Sequence, residues 1–257
     1  MKKVRRGFTL VEVSLFLAIT AVIFVGVAVG TQSSIFQQRY NDAVQNFAEF
    51  LRSTYSQVSN VQSEGMGRTD KAIYGKLVTF RKNGDKNIIN SYNVIGKIED
   101  DLASGDILNK LIELDANVII KDDNKFKAVG FVDEYKPRWG SQIQTAAGWS
   151  SGYESFEGML LIVRHPGSGT IYTFADLGKS INVDAMITES NANATSVEEN
   201  YLKPLLEKKD FQKEDVVFCV NPNGAEKSNL RRGIKITAGA RNASGVEILS
   251  DGEGCNP

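Results

Sequence analysis

Apolar and polar positions change rhythm twice along this chain. From Val13 to Gly30 almost every residue is apolar, with only Ser14 and Thr20 interrupting the run. As a helix, about eighteen such residues rise ~27 Å, close to the ~30 Å hydrocarbon core of a bilayer. Beyond Gly30 the run gives way to a stripe: Phe36, Tyr40, Val44, Phe47, Leu51, Tyr55 and Val58 follow spacings of 4-4-3-4-4-3, while Gln37, Arg39, Asp42, Gln45, Glu49 and Arg52 fill the other faces. That period predicts an amphipathic helix continuous with the apolar one. The aromatic stripe reads as core packing, its partner a β-sheet.

After residue 60 the pattern shortens to runs of branched and aromatic residues, which predict strands. The segments are Ala72–Phe80 and Ile88–Ile95 around Asn83-Gly84-Asp85, Val118–Ile120 with Lys127–Val132, and Met159–Arg164 with Thr170–Phe174 around Pro166-Gly167-Ser168-Gly169. Near the end, Val216–Val220, Gly233–Thr237 and Val246–Leu249 complete the set. Two short helices are expected among them: Ile107–Leu114 capped by Asp106, and Val197–Lys208 behind a capping box of Ser196 and Glu199, limited or bent by Pro204. Arg138–Ser155, rich in serine and glycine and holding both tryptophans, reads as a long loop over a sheet edge. The fold class expected is α+β: a long N-terminal helix packed on a mainly antiparallel β-sheet head.

Composition adds little direction. The chain has 257 residues, 24% of them charged, and a formal net charge of -1, so the overall balance calls for neither nucleic acid nor an acidic ligand. The asymmetry is local. Lys2, Lys3, Arg5 and Arg6 precede the apolar run, and by the positive-inside rule this flank stays in the cytoplasm while the rest of the chain passes outward. In an exported domain, Cys219 and Cys255 are expected to form a disulfide.

Glu12 discriminates among a secretory signal, a plain anchor and an assembly helix. An unpaired carboxylate near the start of a membrane helix costs ~2–3 kcal/mol or more, which an ordinary signal or anchor has no reason to carry. Ala28-Val29-Gly30 offers a small-residue signal cleavage site, but the apolar region of a signal usually runs only ~7–15 residues.

Gly7-Phe8-Thr9-Leu10-Val11-Glu12, behind a basic leader, resembles the type IV prepilin cleavage motif shared by pilins and type II secretion pseudopilins. The resemblance implies that a prepilin peptidase cuts after Gly7 and methylates the new amine of Phe8. It also implies that Glu12 is the buried acid that docks a subunit through such an amine. The implied organisation is a leader over 1–7, a transmembrane and filament-core helix over 8–30, an amphipathic helix over 31–60 and a β-rich head over 61–257. Many pilins carry a proline in this helix; here none precedes Pro137, and Gly26 and Gly30 are the positions that could weaken it or let helices pack closely.

The implied partners are other pilin subunits, the peptidase and an assembly platform in the inner membrane. The implied location is the cytoplasmic membrane for the precursor, then a cell-surface pilus serving adhesion, motility or DNA uptake. A type II secretion pseudopilin is the alternative. The segment from Cys219 to Gly224, followed by Arg231-Arg232-Gly233-Ile234-Lys235-Ile236 and Gly239-Ala240-Arg241, is similar to the C-terminal part of GspH/FimT-type minor pilins and pseudopilins, some of which bind DNA. By that resemblance Arg231, Arg232, Lys235 and Arg241 form a candidate DNA patch, set against the simpler reading of a solvated face.

A membrane-anchored or secreted enzyme is the competing class. No nucleophile elbow, phosphate loop or zinc signature is present, and the single histidine, His165, is expected as an exposed turn residue. Asp251 and Glu253 form a weak candidate calcium site. No catalytic residue, metal or cofactor is expected.

Overall fold

The computed structural model describes residues 9–60, 71–83, 86–97, 106–114, 116–118, 133–145, 157–177, 202–208, 214–221, 232–251 and 253–255. Two compact units are present, Met1–Asp42 and Ala43–Pro257, and one helix, α1 (Leu10–Ser59), runs through both. The predicted long helix is therefore present, with its two halves in contrasting surroundings.

In the first unit most described side chains of α1 are open, Tyr40 excepted: Leu10, Phe16, Val22 and Phe24 are 87%, 69%, 73% and 75% exposed. The helix is long and apolar enough to cross a membrane. In the second unit the stripe turns inward, and Val44, Phe47, Leu51, Tyr55 and Val58 are all buried. Phe36, the first member of the stripe, stays at 36% exposure.

The head is built from two antiparallel sheets. In one, β1 (Lys71–Asn83) and β2 (Lys86–Lys97) form a hairpin, and β6 (Gly158–Arg164) and β7 (Ile171–Asp176) form another. β3 (Asn117–Val118) and β4 (Asp133–Tyr135) pair with β2, and the main order is β3-β2-β1-β6-β7. In the second, β5 (Gln142–Thr145), β8 (Val216–Asn221), β9 (Arg232–Ile236) and β10 (Val246–Asp251) run in the order β10-β9-β8-β5.

Alternation along the strands divides the first sheet into two faces. Tyr74, Leu77, Tyr92, Val94, Leu161 and Phe174 join a core with α2 (Ile107–Glu113), with Leu206 of α3 (Lys203–Lys208) and with Leu202 just before it. Asp106 caps α2 as expected, its side chain accepting from the Leu108 amide. Pro204 lies in the first turn of α3, where a missing N–H breaks no helical bond. The capping box expected at Ser196 and Glu199 lies outside the described residues.

The opposite face meets α1. Tyr55 shares a 2.7 Å hydroxyl contact with Thr173 of β7, and Arg164 donates to the Ser59 carbonyl at 2.9 Å, satisfying one of the carbonyls left open at a helix end. Phe218 of β8 joins the two sheets: its ring lies 5.6 Å from Phe47 of α1 and 5.1 Å from Phe80 of β1. Arg52 adds two hydrogen bonds to the Val246 carbonyl of β10, at 3.0 and 3.2 Å. Gly75 sits at the irregular pairing of β1, where a β-carbon would strike the Ile162 carbonyl oxygen. Only glycine permits that approach.

One expectation needs correction. The segment 138–155 is not all loop, because Gln142–Thr145 is a fully buried strand on β8. The ladder with β8 satisfies one side of its backbone, and the Ile143 amide donates to Asn87 Oδ1 at 3.3 Å. Asp133–Tyr135 is a strand that the charged sequence did not signal. Of the expected pair Val118–Ile120 and Lys127–Val132, only Val118 lies among the described residues, in β3.

Candidate functional site: the start of the long helix

Thr9 is the last residue before α1, and the sequence Thr9-Leu10-Val11-Glu12 has the form of a capping box. The geometry agrees. The Thr9 amide donates to Glu12 Oε2 at 2.8 Å, the Thr9 hydroxyl donates to the same oxygen at 3.0 Å, and the Glu12 amide donates to Thr9 Oγ1 at 3.3 Å. The Thr9 carbonyl then accepts from Val13 at 3.2 Å, the first backbone bond of the helix. Two amides otherwise without partners at a helix start are thereby satisfied, and the carboxylate lies at the positive end of the helix dipole.

The membrane-length run that follows also settles its hydroxyls locally. Ser14 donates to the Val11 carbonyl, Thr20 to that of Phe16, Thr31 to those of Val27 and Ala28, and Ser34 to that of Gly30. Such bonds hide polar groups from hydrocarbon. A β-carbon at Gly26 or Gly30 would meet nothing within 4 Å, so neither glycine is required by packing inside this chain.

Gly7 and Phe8 lie outside the described residues, as does Arg231. Cys219 and Cys255 form a disulfide and are both fully buried. Gly233, opposite Cys219 in the β8–β9 ladder, leaves room for it: a β-carbon there would lie 3.1 Å from Cys255 Sγ. With its ends 36 positions apart in sequence, the bridge contributes about 4 kcal/mol on a loop-entropy account.

The basic residues of the tail do not share one face. Arg232 lies on the same side of β9 as Ile234 and Ile236, whereas Lys235 points the other way and pairs with Glu247 at 3.3 Å. Arg241 is exposed in the turn that follows.

His165 is buried at 4% exposure, contrary to the exposed turn residue expected. Its Nδ1 accepts from the amides of Gly167 and Ser168 at 3.1 and 3.2 Å, so the ring organises the β6–β7 turn. Glu253 accepts from the Ser250 amide at 3.3 Å, and no cluster of three metal-ligating side chains occurs among the described residues.

One open groove in the head, about 480 Å³, lies between α1 and the segment from Asp133 to Arg138. Phe50 and Tyr135 stack there with centroids 4.8 Å apart. Burial pushes the Tyr135 phenol up to about 12 despite the opposing charge of Arg138, and its hydroxyl has no hydrogen-bond partner among the described residues.

Comparison with protein-family models, curated proteins and solved structures returns no match. The geometry itself is pilin-like: a long N-terminal apolar helix packed, in its second half, on antiparallel sheets with a disulfide in the head. Sequence reading singled out Glu12 but missed Thr9 as its partner. The Thr-x-x-Glu spacing was the available signal.

Proposed function

We propose that this chain is a structural subunit, a minor pilin, of a type IV pilus-like extracellular filament. The observation that carries the reading is the change of environment along α1. Its first half presents large apolar side chains that the rest of the chain does not cover, while its second half belongs to the core of the head. Moving a large apolar side chain out of water is worth about 1.5–3 kcal/mol, so the first half is stable only in lipid or against other apolar surfaces. A membrane supplies the first setting before assembly, and the packed helices of neighbouring subunits supply the second afterwards.

The motif at Gly7-Phe8 supports processing before assembly, and Glu12 supports a docking step beyond simple anchoring. Once Phe8 carries an ammonium, the carboxylate four residues along has an oppositely charged partner in its own or a neighbouring chain, and removing one member of such a pair costs about 3–5 kcal/mol. The chain's activity in this reading is assembly, with the peptidase acting on it. The length of the head favours a minor pilin over a major one, and a pseudopilin of type II secretion is the alternative.

Glu12→Ala tests the reading in cells that carry the assembly machinery. Cleavage after Gly7 should continue while the variant disappears from sheared filaments. Normal incorporation would remove Glu12 from the docking role.

A further inference from the structure

We infer that the open groove of the head, together with the exposed indole of Trp139 beside it, binds a neutral saccharide. The inference concerns the unit Ala43–Pro257 alone and stands independently of the filament reading. The groove, about 480 Å³, falls within the size range of small-ligand sites. One wall is a face of α1, where Asn46, Glu49, Ser53 and Gln57 recur at helical spacing, and the other is the segment from Asp133 to Arg138. Phe50 and Tyr135, stacked at 4.8 Å, join the two walls.

Charge narrows the choice of ligand. Three carboxylates, those of Glu49, Asp133 and Glu134, line the groove with two cations, Lys136 and Arg138, so the lining attracts neither a polyanion nor a polycation. Glu134 pairs with Lys136 at 3.3 Å, and Asp133 lies 3.9 Å from Lys76. The Glu49 carboxylate and the Arg138 guanidinium have no ion-pair partner among the described residues, which leaves one acceptor and one donor for ligand hydroxyls. On the helix wall the Gln57 amide donates to Ser53 Oγ at 3.2 Å and keeps its carbonyl oxygen as a further acceptor.

Trp139 adds what these polar groups lack, an apolar platform for the C–H face of a sugar ring. Its side chain is 55% exposed, although an indole has more apolar area to hide than most side chains. Its backbone is left-handed, with φ 57°, a conformation that costs free energy in any residue with a β-carbon. The turn enforces it. Pro137 fixes the chain before it, Gly140 follows at φ 71°, and the Ser141 amide and hydroxyl both donate to the Arg138 carbonyl, at 3.0 and 2.8 Å. Strain held in this way is typical of ligand clamps. A peptide anchored by apolar side chains would need enclosed apolar pockets, whereas these walls are polar and open.

The test uses the full-length chain in amine-oxide micelles, which carry no sugar headgroup, against an array of neutral gluco-, manno-, galacto- and chito-oligosaccharides. Saturation-transfer NMR then follows the sugars retained. At least one series should bind, with transfer concentrated on the C–H face of a ring and with affinity changing less than about twofold between low and high salt. Trp139→Gly suits the left-handed backbone, so it removes the indole without new strain, and should weaken binding about tenfold. Glu49→Ala, on the exposed wall of the helix, preserves helix propensity and should weaken it about fivefold. No binding by any series would overturn the proposal, as would binding unchanged in both variants. Retention of acidic polysaccharides alone, lost as salt rises, would overturn it in favour of a polyanion, and Glu49-dependent binding to a peptide array but to no sugar would overturn it in favour of a protein partner.

Discussion

The two halves of α1 use the same secondary structure for opposite ends. In the membrane-length half, Phe16 and Val22 stand open, and the hydroxyls of Ser14, Thr20, Thr31 and Ser34 bond to their own backbone. In the other half, Phe47 and Leu51 are completely buried, and Tyr55 and Arg52 reach across to β7 and β10. What separates them is periodicity alone. Apolar residues all round a helix demand an external apolar setting, whereas one apolar stripe is satisfied by a sheet from the same chain.

Truncating one side chain in each half should break the comparison most sharply. Phe47→Ala should cost the head about 3–5 kcal/mol, since the ring touches Phe218, Tyr135 and Phe50, and thermal unfolding of the detergent-solubilised chain would report it. Phe16→Ala should leave that transition within about 0.5 kcal/mol while lowering filament yield. Equal destabilisation by both would show that the halves are not distinct.

Reduction of the disulfide is next in size. Cys219→Ser/Cys255→Ser should destabilise the head by about 2–5 kcal/mol, seen as a lower denaturant midpoint, and leave membrane insertion of the apolar half unchanged. Insertion that fails with the head would contradict the independence of the two regions.

The smallest effect concerns the interface of α1 with β7. Burial raises the Tyr55 phenol from 10.0 to about 12, partly offset by its bond to Thr173. The folded state therefore holds this proton more tightly than the unfolded one. The contribution is intact below pH 10 and is lost as pH rises through about 12. Tyr55→Phe should cost about 1 kcal/mol at neutral pH and flatten the alkaline loss measured by denaturant titration. An unchanged alkaline profile would place the titration elsewhere.

Much of this was readable from residue order. The stripe from Tyr40 to Val58 was visible because a helix repeats its face at a fixed period, and the hairpins at 83–86 and 165–170 because glycine, asparagine and proline mark turns. β5 was hidden because Gln142-Ile143-Gln144-Thr145 holds a single apolar side chain, and its burial comes from pairing with distant β8. β4 was hidden for the same reason, being Asp133-Glu134-Tyr135 docked on β2. His165 was misplaced because the bonds to its Nδ1 depend on how the turn closes. At the helix start, Glu12 stood out as a charge in an apolar setting. Thr9 did not, although its Thr-x-x-Glu spacing to Glu12 carries the signal of a capping box.

The central claim is that the open half of α1 becomes the core of a filament after cleavage at Gly7. Mass spectrometry of sheared surface filaments tests it most directly. The account predicts that this chain is present and that its first peptide begins with an N-methylated Phe8. A mature chain beginning after Gly30, with the apolar half removed, would contradict it.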